Sequence, residues 1–455
     1  AELCDGIART EAGGSVVIPS APLWWHCESR DYPALPRVQI RADVAVIGAG
    51  LTGLSAAYHI LKRRPEAHVV LLEAQHLGAG ASGRTTGILG PGVGQSLAAL
   101  VRRLGTQRAR ALYVASLGAV RAVKQLVERE KIECELAMTG QLVVARTSAG
   151  RGRLSAQARL MRELDLPGVA LDDAALDRAI VMQRARGGAG TAGLRLPVAG
   201  TLHPMRLLCG LADRVTARGG EIFPGARVIS MRGANPVRLE IADGGAVLAN
   251  RVVLATAGYT PALGVMRGRI LPVHLQVIVT EPLQADALEA LRWNGRESIV
   301  DNGRIFNYFR LTADNRIVFG GGAPRYTWRG REHEMTQATA LDRLVTELKR
   351  AFAQEVPIAV AGGWTGVIGY SLDALPALAR MRGNRSVVHA VGWCGHGIAL
   401  SVAAGEWLTQ MLCDGAGCED LPWYRDNPPL LPFELLRWTA FRAGVRAMGL
   451  MDRYL

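Results

Sequence analysis

The apolar positions along this chain change period several times, and each change predicts an element. Residues 43–57 read DVAVIGAGLTGLSAA. The unbroken run Val44-Ala45-Val46-Ile47 predicts a strand buried on both faces, as in parallel sheets. Glycines end that run and a helical pattern follows. His68-Val69-Val70-Leu71-Leu72 and Val252-Val253-Leu254-Ala255 repeat the buried-strand signal. A helical period runs through residues 99–131, with Leu100, Val101, Leu104, Leu112, Val120, Val123 and Val127 as its inward stripe. GQLVVARTS from Gly140, LPVHLQVIVTEPL and RIFNYFRLTADNRIVFGGG predict strands, the last a hairpin turning at Asp314-Asn315. AVGWCGHGIALSVAAGEWL, from Ala390, sets Gly392, Gly395 and Gly397 ahead of an apolar helix. A basic amphipathic helix closes the chain. Leu435, Trp438, Phe441, Val445, Met448 and Asp452 form its stripe, and Arg442, Arg446 and Arg453 its flank. Such a helix suits docking on its own domain, a subunit contact or a membrane-surface contact.

Gly48, Gly50 and Gly53 fill a GxGxxG pattern between the first strand and its helix, whose first turn holds Thr52. The first glycine makes the turn, the second admits a pyrophosphate, and the third lets helix and strand pack. The second strand ends at Glu73, 20 residues after Gly53, with Ala74 next to it. An acid at that spacing accepts hydrogen bonds from a ribose. Strand, helix, second strand and acid together predict a dinucleotide site. A second match, Gly188, Gly190 and Gly193 in GGAGTAG, has no buried strand before it and no helix after it, and reads as a loop. One dinucleotide fold favours a bound flavin over a chain that also binds a nicotinamide cofactor.

Composition narrows the classes. The chain of 455 residues is 49% hydrophobic and 20% charged, enough for a large core. Its net charge of +13 comes from 49 Arg against 4 Lys: Lys62, Lys124, Lys131 and Lys349. Arginine and alanine in place of lysine reflect a high-GC genome; a basic surface also steers anionic substrates. No basic run is interleaved with aromatics, which make up 5%, so nucleic acid is not expected as a partner. No apolar run approaches the length of a membrane span. The first residues lack the basic end and apolar run of a signal peptide, and with no initiator Met the natural start is expected to lie elsewhere. Seven scattered cysteines without a CxxC pair fit a reduced, cytoplasmic protein, and no metal site is expected.

Beyond Glu73 comes AQHLGAGASGRTTGILGPG. With it the sequence resembles the FAD-dependent amine and amino acid oxidoreductases of the D-amino acid oxidase, glycine oxidase and sarcosine oxidase superfamily, within it the gamma-glutamylputrescine oxidase-like branch. The resemblance rests on a W…YPxLP leader (Trp24 to Pro36), the ASGR segment, a YFRxTxDxRxxFGG hairpin (Tyr308 to Gly321), a WTG…D..P run (Trp364 to Pro376) and a GxxGHGxxLS turn (Gly392 to Ser401). It covers most of residues 20–415.

The resemblance implies an α/β fold: a discontinuous Rossmann-like FAD-binding domain and an α+β substrate domain whose antiparallel sheet roofs the flavin. The expected domains are a leader (1–37), the FAD-binding domain (38–98, 200–265 and 362–415), the substrate domain (99–199 and 266–361) and a helical tail (416–455). It implies that Ser82, Gly83 and Arg84 meet the pyrophosphate and flavin rim, and that Thr85, Thr86 and Gly87 continue along the ring. Ser82 alternatively caps a helix. Val228 would offer its backbone to adenine, and Ala257-Gly258 would close the FAD domain. Gly395, His396, Gly397 and Ile398 would stand at the flavin's pyrimidine edge, where a helix N-terminus stabilises negative charge. His396 bonds the ring, lines the pocket or merely caps its turn; Cys394 packs.

The implied reaction is oxidation of a C–N bond by hydride transfer, giving an imine that hydrolyses to a carbonyl. Tyr308, Arg310, His396 and Arg84 are the catalytic candidates, with His274 and Gln276 weaker ones. Arg310 suits a substrate carboxylate because its fork is bidentate; the alternative is an arginine in solvent. FAD is expected to be non-covalent, because the roof hairpin lacks the cysteine through which sarcosine oxidase-like enzymes attach it. The substrate is a small amine or amino acid, and the acceptor is O2, a quinone or another carrier. Rival readings are a flavoprotein subunit of a dehydrogenase complex and an FAD monooxygenase. The latter carries a late GD segment where this chain has GWCGHG.

Overall fold

The computed structural model describes residues 20–27, 30–184, 190–328, 334–352, 356–414 and 421–454. Two eight-stranded sheets organise the chain. In the first, Gln39–Ile47 lies between Ala246–Leu254 and Val69–Leu72, parallel to both. Glu221–Phe223 extends one side in parallel, and Asn384–Val391 the other. Parallel pairing needs crossovers, and the helices Leu51–Arg63 and Pro204–Thr216 lie on this sheet. The predicted buried strand is as apolar as its position demands: Ala45 and Val46 are fully buried, facing opposite sides.

Helix Gly397–Asp414 packs on Leu51–Arg63 so closely that a Cβ on Gly405 would lie 2.2 Å from Ser55 Oγ. Ser55 Oγ donates to the Val402 carbonyl at 2.6 Å, which satisfies a hydroxyl with no exposure to water. The same apolar cluster takes in Leu54 and Leu112 and reaches Val277, Val279, Val318 and Trp364 of the second sheet. Truncating the fully buried Leu54 to alanine would cost about 2–5 kcal/mol.

The second sheet runs Val360–Ser371, Ile270–Thr280, Ile317–Tyr326, Tyr308–Leu311, Ser298–Asp301, Gln141–Val144, Gly193–Leu196 and Val169–Leu171, mostly antiparallel. Its hairpin turns at Asp314-Asn315 as the sequence predicts, with Asn315 at φ +64. Phe309, Leu311, Ile317 and Phe319 pack away from the first sheet, against Leu341, Leu344 and Leu348 of helix Glu334–Ala351. By alternation, Tyr308, Arg310, Val318 and Gly320 face the first sheet.

Several boundaries differ from expectation. The single helix predicted over 99–131 is two, Leu97–Leu104 and Thr106–Glu130, because Gly105 at φ +80 breaks it. Leu100, Leu112, Val120, Val123 and Val127 are buried, whereas Val101 and Leu104 are only partly so. The longer helix shares its core with the first sheet's helices, although its sequence position suggests the substrate domain. The boundary expected at 362 falls inside Val360–Ser371, which pairs along its length with Ile270–Thr280. The GGAGTAG loop runs into a strand at Gly193; Gly188 lies outside the described residues.

The tail helix, Glu434–Tyr454, docks on its own fold. Phe441 meets Tyr326, Trp438 meets Trp328, and Asp452 accepts the backbone N–H groups of Arg304 and Ile305 at 3.0 and 2.8 Å.

Candidate active site

The first strand ends in a turn that only glycine can make. Gly48 has φ +97, and a Cβ there would sit 2.8 Å from the Ala255 carbonyl. A Cβ on Gly53 would lie 1.9 Å from the Gly48 carbonyl, so the helix seats directly on the turn. Gly50 is the N-cap of the helix but brings no side chain to its orphan N–H groups. Ser82 does: its Oγ accepts the Leu51 N–H at 3.1 Å. Of the two readings of Ser82, the structure shows the cap, on the helix that follows the glycine turn. Glu73 turns its carboxylate onto this turn, accepting Ala49 N–H at 3.0 Å and Gln75 N–H at 3.1 Å. Thr52 is buried in the first helical turn and Ala74 is exposed beside Glu73. The chain from Phe223 to Val228 runs alongside, with Gly225 N–H donating to the Gln75 carbonyl at 2.8 Å.

The loop 82–87 is held one carbonyl at a time. Trp364 Nε1 donates to the Arg84 carbonyl at 2.9 Å and Trp24 Nε1 to that of Thr85 at 2.8 Å. Arg310 Nε donates to Thr86 at 2.7 Å, and the Leu202 N–H to Gly87 at 2.9 Å. Gly83 and Gly87 admit this packing: Cβ atoms there would lie 2.2 Å from the carbonyls of Gly78 and Leu202. The leader motif that begins at Trp24 does not say that Trp24 and Trp25 reach this region. The one available signal is an aromatic pair in a chain poor in aromatics. Trp24 is buried against the edge of His203, and Trp25 Nε1 donates to the Gly78 carbonyl at 3.2 Å.

The two arginines are placed otherwise than the sequence suggests. Arg310 is neither in solvent nor an open fork. Besides Thr86, it donates to the carbonyls of Leu202 at 2.8 Å and Leu311 at 3.0 Å, with Trp24 stacked 5.2 Å away. Burial lowers its pKa to about 10, which leaves it charged at neutral pH. Arg84 donates to Ala79 and Thr365 carbonyls at 2.7 and 2.9 Å and lies over Trp25. Both guanidiniums brace backbone.

Backbone contacts carry the site across the first sheet. Ala257, at φ +44, and Gly258 pack on Val360–Ser371, where a Cβ on Gly258 would lie 2.9 Å from Ile368. Cys394 N–H donates to the Gly369 carbonyl at 3.3 Å, which brings the Gly392–Gly397 turn to the same strand. Cys394 is buried with its thiol on the Gly392 carbonyl, and burial pushes its pKa up to about 11. Gly395, at φ +92, and Gly397 lead into the buried Ile398. His396 lies beside Gly92, whose Cβ would come 3.2 Å from Nε2. Its Nδ1 is buried without a partner among the described residues, and burial holds its pKa below the ordinary range.

Tyr308 lies across Gly320, where a Cβ would be 2.4 Å from the ring; burial pushes its hydroxyl up to about 12. His274 and Gln276 do not join it. Gln276 Nε2 donates to the carbonyls of Gly321 and Ala323 at 2.5 and 3.2 Å, and His274 Nε2 lies 3.3 Å from Thr327 Oγ1.

A family model described as DAO, FAD dependent oxidoreductase, matches residues 43–411. The chain belongs to that family. This oxidoreductase is 27% identical to a probable oxidoreductase OrdL of Haemophilus influenzae, over 95% of this chain and 97% of that one. It is 28% identical to gamma-glutamylputrescine oxidoreductase of Escherichia coli, over 82% and 84% of the two chains. Among solved structures it resembles glycine oxidase from Geobacillus kaustophilus, with a TM-score of 0.66 and 21% identity over 83% of this chain and 96% of that one. L-proline dehydrogenase from P. horikoshii gives the same TM-score at 18% identity, over 86% and 98%. The oxidoreductase therefore uses FAD, and its donor set fits one: a glycine cradle at a helix N-terminus, an acid at the second strand's end and an unpartnered buried imidazole nitrogen. Among the described residues no helix is long and apolar enough to cross a membrane, and no cluster of His, Cys, Asp and Glu could hold a metal ion.

Proposed function

We propose that this oxidoreductase oxidises the C–N bond of a small amine or amino acid, giving an imine that water converts to a carbonyl. The observation that carries the reading is its likeness, over more than four-fifths of both chains, to gamma-glutamylputrescine oxidoreductase. When bound, the flavin supplies a two-electron acceptor for the hydride. Glu73 would hold the ribose, the start of helix Leu51–Arg63 with Ser82, Gly83 and Arg84 would meet the pyrophosphate and the flavin's rim, and Thr85–Gly87 would continue along the ring. Gly395–Ile398 would stand at its pyrimidine edge, and Val228, Ala257 and Gly258 would complete the cradle.

Tyr308 keeps its proton at neutral pH and orients substrate as a donor. His396 stays neutral and offers a hydrogen bond rather than a charge. No strong base is needed if the amine binds neutral. Arg310 and Arg84 are committed to carbonyls and do not serve as a clamp for a substrate carboxylate. The test is product analysis: one carbonyl compound and one released nitrogen base per substrate consumed. A hydroxylated product with the C–N bond intact would overturn the reading.

The cofactor is held without a covalent bond. Cys394, the thiol beside the flavin turn, is a weak nucleophile in its buried, bonded state. Acid precipitation should leave a yellow supernatant; a yellow pellet would contradict this.

The four lysines lie on the exposed surface, outside the cradle, and Lys124 pairs with Glu128 at 3.7 Å. That observation favours a second reading of the acceptor, a dehydrogenase that passes electrons to a quinone or another carrier rather than rapidly to O2.

A further inference from the structure

Helix Glu434–Tyr454 carries two carboxylates, and both are turned inward. Glu434 accepts the Tyr326 hydroxyl at 3.0 Å and Arg437 at 2.5 Å, while Asp452 caps the Arg304–Ile305 backbone. Trp438 and Phe441 also face the fold. What remains outside is a stripe at helical spacing: Phe433, Leu436, Ala440, Ala443, Ala447 and Leu450, all exposed. Phe433 is 71%, Leu436 47% and Leu450 54% exposed. Leu435 adds to its edge, and Arg442 and Arg446 stand exposed along the same flank. At about 1.5 Å per residue the strip from Phe433 to Leu450 is roughly 26 Å long.

We propose that this outer face lies on an anionic membrane surface. Isolated leucines on a protein surface mean little, but a continuous apolar stripe beside arginines, with no acid on the same face, is a complement to acidic headgroups over acyl chains. A second copy of the chain is a poor partner. It would set Arg442 and Arg446 of one helix against those of the other with no carboxylate between, on a molecule whose net charge is already +13. Arg442 reinforces the geometry: its guanidinium stacks on Trp438 at 4.5 Å, and Trp438 meets the half-exposed Trp328 at 6.1 Å. The contact is peripheral, resting on a docked helix rather than on a span, and it is independent of which substrate the site takes.

The test is co-sedimentation of the FAD-loaded full chain with vesicles of phosphatidylcholine alone or mixed with phosphatidylglycerol. Binding is expected to the mixed vesicles, to fall as salt is raised, and to be weak on phosphatidylcholine. Arg442→Gln with Arg446→Gln should weaken it roughly tenfold, and Leu436→Glu with Leu450→Glu should abolish it, both with FAD content unchanged. If the glutamate pair loses FAD, the glutamine pair decides. Equal recovery with both lipids, binding that survives the glutamine pair, or a wild-type dimer split by Leu436→Glu would overturn the proposal.

Discussion

Arg310 Nε donates to the Thr86 carbonyl at 2.7 Å, a bond that ties the second sheet to the loop 82–87. With Leu202 on the same guanidinium, Arg310 couples three chain segments far apart in sequence. Its guanidinium is buried from solvent, and its planar fork is what reaches two carbonyls at once.

Arg310→Lys should therefore behave as a cofactor-site variant. Lysine keeps the charge but cannot reach both carbonyls, and losing a buried bond to a charged donor costs about 1.5–3 kcal/mol. FAD titration of the apoprotein should show weaker binding by one to two orders of magnitude, on the order of that free energy. Unchanged FAD affinity with a raised KM for carboxylate substrates would restore Arg310 to the substrate.

Glu73→Ala should weaken FAD binding by about 1.5–3 kcal/mol while leaving the rate of the FAD-saturated enzyme nearly unchanged. Glu73 accepts two backbone N–H bonds at the turn, so Glu73→Gln, which keeps an acceptor oxygen, should recover part of the loss. Equal FAD affinity in wild type and Glu73→Ala would mean that the nucleotide lies elsewhere.

Stability should fall in mild acid. His389 is fully buried in strand Asn384–Val391, and neither ring nitrogen has a partner among the described residues. Burial lowers its pKa from 6.5 to about 4. The fold thus keeps it neutral while the unfolded chain binds a proton below pH 6.5. Its contribution is complete above that pH and is lost between about 6.5 and 4, with a slope of at most about 1.4 kcal/mol per pH unit. His59 adds a slope of the same sign, its pKa also lowered to about 4 by burial. Thermal midpoints across this range should flatten, though not become level, in His389→Leu. An unchanged pH dependence would mean that His389 is solvated or paired.

Reoxidation by O2 should be slow. No lysine stands in the cradle, and a guanidinium pinned to carbonyls is a poor stand-in for a mobile ammonium. Stopped-flow mixing of substrate-reduced enzyme with aerated buffer should give recovery slower than turnover with an artificial quinone. Recovery faster than turnover, with hydrogen peroxide equal to product, would establish an oxidase.

Most of the first sheet and its glycine turn was legible because local chemistry dictates it. Buried strands read as apolar runs, and Gly48 and Gly53 occupy places where a Cβ would strike backbone. The roof hairpin was legible by alternation, including the shared face of Tyr308 and Arg310. What stayed hidden depends on contacts across long separations. Trp24 finds the Thr85 carbonyl 61 residues away, and Arg310 finds Thr86 224 residues away. Neither spacing leaves a periodic trace. Arginine chemistry suggests a carboxylate fork equally well, and only the packed fold shows that carbonyls took it. The helix 99–131 misled because Gly105, tolerable inside a helix, adopts φ +80 instead.

The central claim, C–N oxidation at this flavin, is tested most directly by anaerobic mixing of the FAD-loaded enzyme with a panel of amines and amino acids while the visible flavin absorbance is followed. The account predicts full bleaching by at least one amine or amino acid, with one equivalent of carbonyl compound formed per flavin. No bleaching by any amine or amino acid, together with rapid bleaching by a nicotinamide cofactor, would contradict it.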